Sequence, residues 1–313
     1  MARRIADPWG ERTPFARGAE WPIRVDHFLA EGVEEKDVGR WVQSACVLCS
    51  NGCGLDIAVK DGRIVGVRGR EGDRINHGRL GPKGLYGWQA NHSPDRLTRP
   101  LVRRDGSLVP AGWDEAMDLV AERSRQLLAE RGPLALGFYN SGQLFLEDYY
   151  TLALVVRAGI GTPHLDGNTR LCTATSDFAL KETFGSDGNP GSYRDFDECD
   201  TLFLVGHNVA ETQTVLWTRI LDRLHGPDRP RLVVVDPRRT NVAREADVHL
   251  PIRNGTNLVL LNAIQHELFA NGWVDEDWTR EHTVGVDKLR GGRRAVRARA
   301  RRRGMRGGRR GHP

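Results

Sequence analysis

Long apolar runs are missing from this 313-residue chain. No stretch approaches the roughly 18 uncharged apolar residues of a membrane-spanning helix, so none is expected. The opening "MARRIADPWGERTPFARG" has no apolar core of the secretory kind, and what should follow its single Arg pair in an export signal is absent. The expected location is therefore the cytoplasm. No G-x-G-x-x-G follows any predicted strand, which removes the standard dinucleotide fingerprint. Cysteine is scarce and odd in number, five in all, so any disulfide scheme leaves a thiol over. In the cytoplasm clustered thiols are more often metal ligands than disulfides. Acid is missing from the end of the chain: from Arg290 onward there are eleven Arg and no Asp or Glu. Taking these from the net charge of +5 leaves the remainder acidic. That remainder has no basic stripe and no aromatic residues interleaved with basic ones, so nucleic acid is not an expected partner of the body.

What is present is ordinary globular composition, 39% hydrophobic and 28% charged, with length for two domains. Residues 1–40 are rich in Pro, Gly and charge, with scattered Trp and Phe. They read as an extended arm or a weakly structured lead-in. Residues 41–105 read as a small β-rich unit. In "LDIAVKDGRIVGVRG" two β-rich runs flank Asp61-Gly62, a strong hairpin signal. Residues 106–289 alternate helix and strand patterns. "WDEAMDLVAERSRQLLAERG" has helical spacing and ends at Gly132. "LALGFYNSGQ", "DTLFLVGHN" and "RLVVVDPRRT" read as strands, and "LEDYYTLALVVRAGIG", "ETQTVLWTRILDRL" and "TNLVLLNAIQHELFANG" as helices. Strands apolar on both faces and alternating with helices predict a parallel α/β sheet. Its ligands should bind past the strand ends, at "NSGQ", "GHN" and "DPRRT". Residues 290–313 are almost entirely Arg, Gly and Ala. They read either as a disordered basic arm for nucleic acid or acidic partners, or as a GC-rich gene out of frame after about Leu289. The abrupt change of composition fits the second better.

Three of the five cysteines fall in "ACVLCSNGCGL" as C-x2-C-x3-C: Cys46, Cys49 and Cys53. Thiolates this close converge on a soft metal or a cluster. Structural zinc wants a second ligand pair, which is missing. Radical-SAM enzymes use the reverse order of spacers, and three merely buried thiols is the bland reading. An iron–sulfur cluster is the best account. Cys172 and Cys199 lie too far along, in the α/β region, to be assumed ligands of it.

The cysteine motif, the hairpin "DGRIVGVRG" and the following "NHGRLGPKG" together resemble the start of the molybdopterin oxidoreductases, which carry bis-molybdopterin guanine dinucleotide. The resemblance runs to about residue 285. It implies an α/β fold with a small β-rich N-terminal iron–sulfur domain and a parallel-sheet α/β domain incomplete relative to the family. The implied cofactors are an iron–sulfur cluster (4Fe–4S or 3Fe–4S), molybdopterin guanine dinucleotide and molybdenum. Where the family has a fourth cysteine this chain has Gly81, so the cluster is 3Fe–4S or its fourth iron takes an outside ligand such as water or His77. Lys83 matches the lysine between cluster and pterin, on the electron path. "DGNTRLCTATS" resembles the segment bearing the molybdenum ligand and puts Cys172 at that position, flanked by Asn168 and Arg170. Ser141, Gly142 and Gln143 match a pterin-contacting stretch. Gly206, Asn208 and Glu211, then Asp236, Pro237 and Arg238, then Gly255, Thr256 and Asn257, match segments that hold the pyrophosphate and guanine. Backbone N–H groups, Arg and short polar side chains suit those groups.

The substrate expected from the resemblance is a small anion, nitrate or formate. Formate dehydrogenases of the family commonly carry His after the metal-bound residue; here Thr173 follows Cys172. This is nearer the nitrate-reductase version, with Arg170 suited to bind or steer an anion. The reaction implied is reduction of nitrate to nitrite, with electrons from a donor protein or flavin reductase passing through the cluster. Family members are usually longer, and this chain is expected to be a truncated form without activity. Two rivals remain: a non-catalytic iron–sulfur electron-transfer module, which has no use for Cys172, and a nucleic-acid binder acting through the Arg tail.

Overall fold

The computed structural model describes residues 7–49 and 51–291. The start of the lead-in, Ser50 and nearly all of the Arg/Gly tail, with both readings of it, lie outside the described residues. The chain divides into two compact units, Met1–Leu202 with Asn208–Arg231, and Phe203–His207 with Leu232–Pro313.

The first unit opens with an antiparallel sheet of β1 (His27–Leu29), β2 (Arg40–Ala45), β3 (Gly54–Lys60) and β4 (Arg63–Gly69), in spatial order β1-β4-β3-β2. The expected hairpin is there. Lys60 pairs with Arg63, and the two residues between, Asp61 and Gly62, both have positive φ, 49° and 74°. A two-residue turn of this hand follows the twist of the strands it joins. A second Asp-Gly pair, Asp105 and Gly106 (φ 48° and 82°), turns β5 (Leu101–Arg104) into β6 (Ser107–Pro110). Between the hairpins lies the short helix α1 (Pro82–Tyr86).

The lead-in is not loose. Phe15 and Trp21 are buried and share a core with Cys53, Leu55, Val67, Leu80 and Val215. Burying a side chain such as Phe15 is worth about 1.5–3 kcal/mol. β1, which also lies in the lead-in, adds an edge strand to β4. Sequence pattern did not reveal this because the segment has no periodicity; its two buried aromatics stand apart in the chain.

The α/β part follows the expected alternation. α2 (Trp113–Arg131) ends at Gly132. β7 (Phe138–Asn140) pairs in parallel with β8 (Leu165–Gly167). Between them run α3 (Leu146–Ala153) and a π-helical turn (Leu154–Ile160), stopped by left-handed Gly161. Then come α4 (Thr169–Phe184), α5 (Asp195–Glu198), α6 (Val209–Thr212) and α7 (Thr214–Leu224). The single helix expected over "ETQTVLWTRILDRL" breaks at Gln213 (φ −133°, ψ 69°). Every residue of α7 from Val215 to Leu224 is buried. By contrast α2 and α4 bury none of theirs, and Met117, Val120, Leu171 and Phe178 stand exposed.

The strands β9 (Thr201–Val205) and β10 (Arg231–Val235), most of whose residues belong to the second unit, and β11 (Val248–Leu250) form a sheet ordered β11-β10-β9, with β10 and β11 parallel. α8 (Asn241–Glu245), α9 (Asn257–Ala270) and α10 (Glu276–His282) complete the unit. The parallel pairing expected of an α/β fold is borne out, but in two separate sheets among the described residues. β9 is also not apolar-packed on both faces: Leu202 and Leu204 are buried while Phe203 is 44% exposed. No helix among the described residues is long and apolar enough to cross a membrane.

Candidate functional site

The cysteine loop bridges β2 and β3. Cys46 follows the last residue of β2, Cys53 precedes the first of β3, and the Cys46 N–H donates to the Cys53 carbonyl at 2.8 Å. Asn76, fully buried, clamps this mouth: Gly54 N–H donates to its Oδ1 (3.0 Å), and its Nδ2 donates to the carbonyls of Gly54 and Arg79. The three thiols are free, with Cys53 buried and the others partly so. Burial pushes the Cys53 thiol up strongly, and Cys49 and Cys46 push it further. Burial also raises Cys46, against the Leu48 backbone, which lowers it; Cys49 adds to the rise and Lys83 opposes it. The Cys46 and Cys53 thiols are therefore costly to ionise without a cation beside them. Iron supplies that charge, so the donor set fits a thiolate-held cluster. Among the described residues no three His, Cys, Asp or Glu side chains are grouped to hold one metal ion. A cluster spreads its thiolates over separate irons and needs no such convergence.

The backbone of α1 lies over the loop. A Cβ on Gly84 would sit 3.4 Å from Cys46 Sγ. Gly81 caps α1, and a Cβ there would meet Thr214 Cβ at 3.0 Å. Lys83, between them, is exposed. His77 is engaged elsewhere, with Nε2 3.1 Å from the Arg74 carbonyl and its ring against Trp21.

The parallel register of β7 and β8, with Asn140 opposite Gly167, brings the two following loops to one edge. There Gly142 N–H donates to Asn168 Oδ1 at 2.7 Å. Any side chain on Gly142 would collide with Thr169. Gln143 Nε2 donates to the Leu48 carbonyl at 3.1 Å, joining this edge to the cysteine loop. Tyr193 Oη donates to the Asn51 carbonyl on the same loop at 2.9 Å. Cys172 lies in the first turn of α4 and is exposed, its Sγ 3.7 Å from the Thr169 carbonyl. Arg170 is held by Asp166 at 2.9 Å; this bond raises the guanidinium and lowers the carboxyl. Asn208 heads α6, and its Oδ1 is buried with no partner, an acceptor suited to a ligand N–H or O–H. Glu211, one turn on, is exposed.

In the second unit Gly206 (φ 64°) follows β9, and its N–H donates to the Val235 carbonyl at 2.8 Å, which ties together the ends of β9 and β10. Asp236 is nearly buried, and its Oδ1 accepts from Arg238 N–H at 2.8 Å across Pro237. The His249 ring meets the Asp236 carbonyl at 2.8 Å. Gly255 is left-handed (φ 79°), Thr256 Oγ1 donates to the Arg253 carbonyl at 2.6 Å, and Asn257 begins α9.

Sequence reasoning passed over the supports of the loop. Asn76, Asn51 and Tyr193 carry no spacing signal, because their partners are backbone atoms remote in sequence. It also missed the ion pair of Arg79 with Asp222 at 3.2 Å, both side chains fully buried. Arg79 lies 3.8 Å over the Trp21 ring, and Trp21 Nε1 and Thr13 N–H both donate to Asp222. Burial pulls the Arg79 guanidinium down to about 10.

Two family models match. The model described as molybdopterin oxidoreductase covers residues 96–299, and that described as molybdopterin oxidoreductase Fe4S4 domain covers residues 40–93. A nitrate reductase of Symbiobacterium thermophilum is 38% identical over 254 residues, 81% of this chain and 34% of the relative. The periplasmic nitrate reductase of Desulfovibrio desulfuricans is 39% identical, over 72% of this chain and 30% of the relative. The F420-dependent formate dehydrogenase 1 subunit alpha of Methanococcus maripaludis is 33% identical, over 80% and 36%. Among solved structures, acetylene hydratase from Pelobacter acetylenicus matches with a TM-score of 0.67 at 24% identity, over 81% of this chain and 35% of that one. This last likeness shows the fold alone. The chain spans about a third of the length of the curated relatives it matches.

Proposed function

The chain belongs to the molybdopterin oxidoreductase family, whose cofactors are an iron–sulfur cluster and molybdenum on molybdopterin, and from that premise we propose that it serves a nitrate-reductase-type reaction. When bound, these groups supply two-electron oxygen-atom exchange with an oxyanion, fed by single electrons. In this reading Cys46, Cys49 and Cys53 hold the cluster and Cys172 holds molybdenum. Lys83 presents a cation beside Cys46. Ser141, Gly142, Gln143 and Asn168 cradle a pterin; Gly206, Asn208, Glu211, Asp236–Arg238 and Gly255–Asn257 bind the nucleotide portion. Arg170 receives the anion by exchanging its Asp166 partner for it.

The observation that carries the reading is the bond from Gln143 to the Leu48 carbonyl. It joins the candidate pterin loop to the cysteine loop, as electron passage between cluster and pterin requires. Nitrate is favoured over formate by Thr173. Its hydroxyl donates to the Thr169 carbonyl at 2.7 Å, so the residue beside Cys172 offers no titrating group to take a proton. We place the cluster domain at 41–105 and the pterin-binding domain at 106–289, the protein in the cytoplasm, and its electron source in a donor protein or flavin reductase.

Cys172 stands open to solvent on a helix with no buried residue. The chain by itself is therefore expected to give no nitrate reduction. The test is an assay of the purified chain with a reduced dye as donor. Turnover with stoichiometric molybdenum would overturn the expectation. Cys172→Ala separates the proposed role from a bare electron-transfer module. Produced with the cofactor, it should alter the molybdenum EPR signal and leave the cluster's EPR spectrum unchanged. An unaltered molybdenum signal would remove Cys172 from the site.

A further inference from the structure

The Fe4S4 domain match and the donors present differ by one ligand. A four-iron cluster takes a thiolate on each iron, and the matched region contains only Cys46, Cys49 and Cys53. The chain's other two thiols lie on other elements. Cys172 Sγ is against the Thr169 carbonyl on exposed α4, and Cys199 Sγ is 4.0 Å from the Phe196 carbonyl. Among the described residues around the loop no other thiol replaces the missing donor, and the Asp73 carboxylate beside Gly54 accepts from the Ile75 and Asn76 N–H groups. Gly84 faces Cys46 Sγ with bare backbone, and Gly81, one turn before it on α1, has no side chain. The space a side chain at 81 would enter is filled by Thr214, whose Cβ, Oγ1 and Cγ2 would lie 3.0, 3.4 and 3.6 Å from a Cβ there. The His77 ring is turned to Trp21 and the Arg74 carbonyl.

We propose that one iron of this chain's cluster has no protein thiolate and carries an exchangeable water or hydroxide, so that the domain converts reversibly between four-iron and three-iron forms. The proposal rests on the reading of Cys46, Cys49 and Cys53 as cluster ligands. A one-electron oxidant such as ferricyanide takes one electron from the 4Fe–4S (2+) cluster. Ferrous ion then leaves with its oxygen ligand, and 3Fe–4S (1+) stays on the three thiolates. Added ferrous ion and one electron from dithionite reverse the step.

The test uses the full chain, reconstituted anaerobically with ferrous iron and sulfide, with bound iron counted and EPR recorded before and after ferricyanide. The expected result is loss of about one iron in four, a three-iron EPR signal, and its disappearance on adding ferrous ion with dithionite. Gly81→Cys should retain all its iron through the same oxidation. Gly81→Ala, which brings the same Cβ against Thr214 without a thiol, should lose iron as the parent does. Should Gly81→Cys fail to fold, the parent chain and Gly81→Ala still decide the question. A parent cluster that keeps its full iron content through oxidation overturns the proposal and leaves the cysteine reading standing. A chain that binds no iron overturns both.

Discussion

Asp222 and Asp166 both accept from an arginine, and burial makes their consequences opposite. Asp222 has no exposed side-chain surface and serves Arg79, Trp21 and Thr13 together. Asp222→Ala would leave the Arg79 guanidinium buried without its partner. The expected loss is about 3–5 kcal/mol of stability, read as a large drop in the urea midpoint. Asp166→Ala breaks an exposed pair in which water replaces the partner. Its midpoint should stay where it was, while the freed Arg170 changes anion affinity. Equal effects of the two substitutions would contradict the burial argument. At this scale sequence reasoning found the chemically distinctive residues and missed the supporting ones. A C-x2-C-x3-C is visible because its members are neighbours in the chain. Arg79 and Asp222 are 143 positions apart, so no window contains both.

The elements were legible where backbone demands are local. Asp61-Gly62 marks a turn because both positions adopt positive φ, which glycine reaches freely and aspartate tolerates. Gly62→Ala is expected to cost roughly 1–2 kcal/mol, since the left-handed conformation then carries a Cβ. Nothing lies within 4 Å of that Cβ, so a much larger loss of stability in thermal or urea unfolding would point to a cause other than backbone conformation. Asp105-Gly106 carries the same signal and was passed over among the Gly and Pro around it. The end of α2 at Gly132 was readable for the same local reason. The break at Gln213 was not, since "ETQTVLWTRILDRL" has no Gly or Pro and its register changes as α7 becomes wholly buried. The lead-in failed in the other direction: it lacks a pattern, yet it is held by Phe15, Trp21 and an edge strand.

In the whole molecule the cysteine loop is a meeting point. It joins β2 to β3, lies under α1, and receives Gln143 and Tyr193 from the α/β part of the first unit. A cluster held there by thiolates binds the folded chain and not the unfolded one, so its binding free energy adds to stability. Removing iron with a chelator should therefore lower the unfolding midpoint of the reconstituted chain. The change should be absent in Cys46→Ala/Cys49→Ala/Cys53→Ala, which has no thiolate left in the loop. A midpoint that ignores iron in the parent chain would argue against a structural cluster. The exposed apolar residues of α2 and α4 are a feature of the same scale. The spacing of α2 predicts a helix, but spacing does not say what an apolar face meets.

By itself the sequence determined the α/β class, the first hairpin, the cysteine motif and the family, because each rests on neighbouring residues whose types are constrained by local backbone or ligand chemistry. Tertiary structure decided that the lead-in is core, that the parallel strands form two sheets, that Arg170 is paired while Cys172 is open, and that Thr214 fills the space beside Gly81. Those outcomes depend on which distant segments come together, and burial, pairing and vacancy are properties of that meeting and of no single stretch of chain.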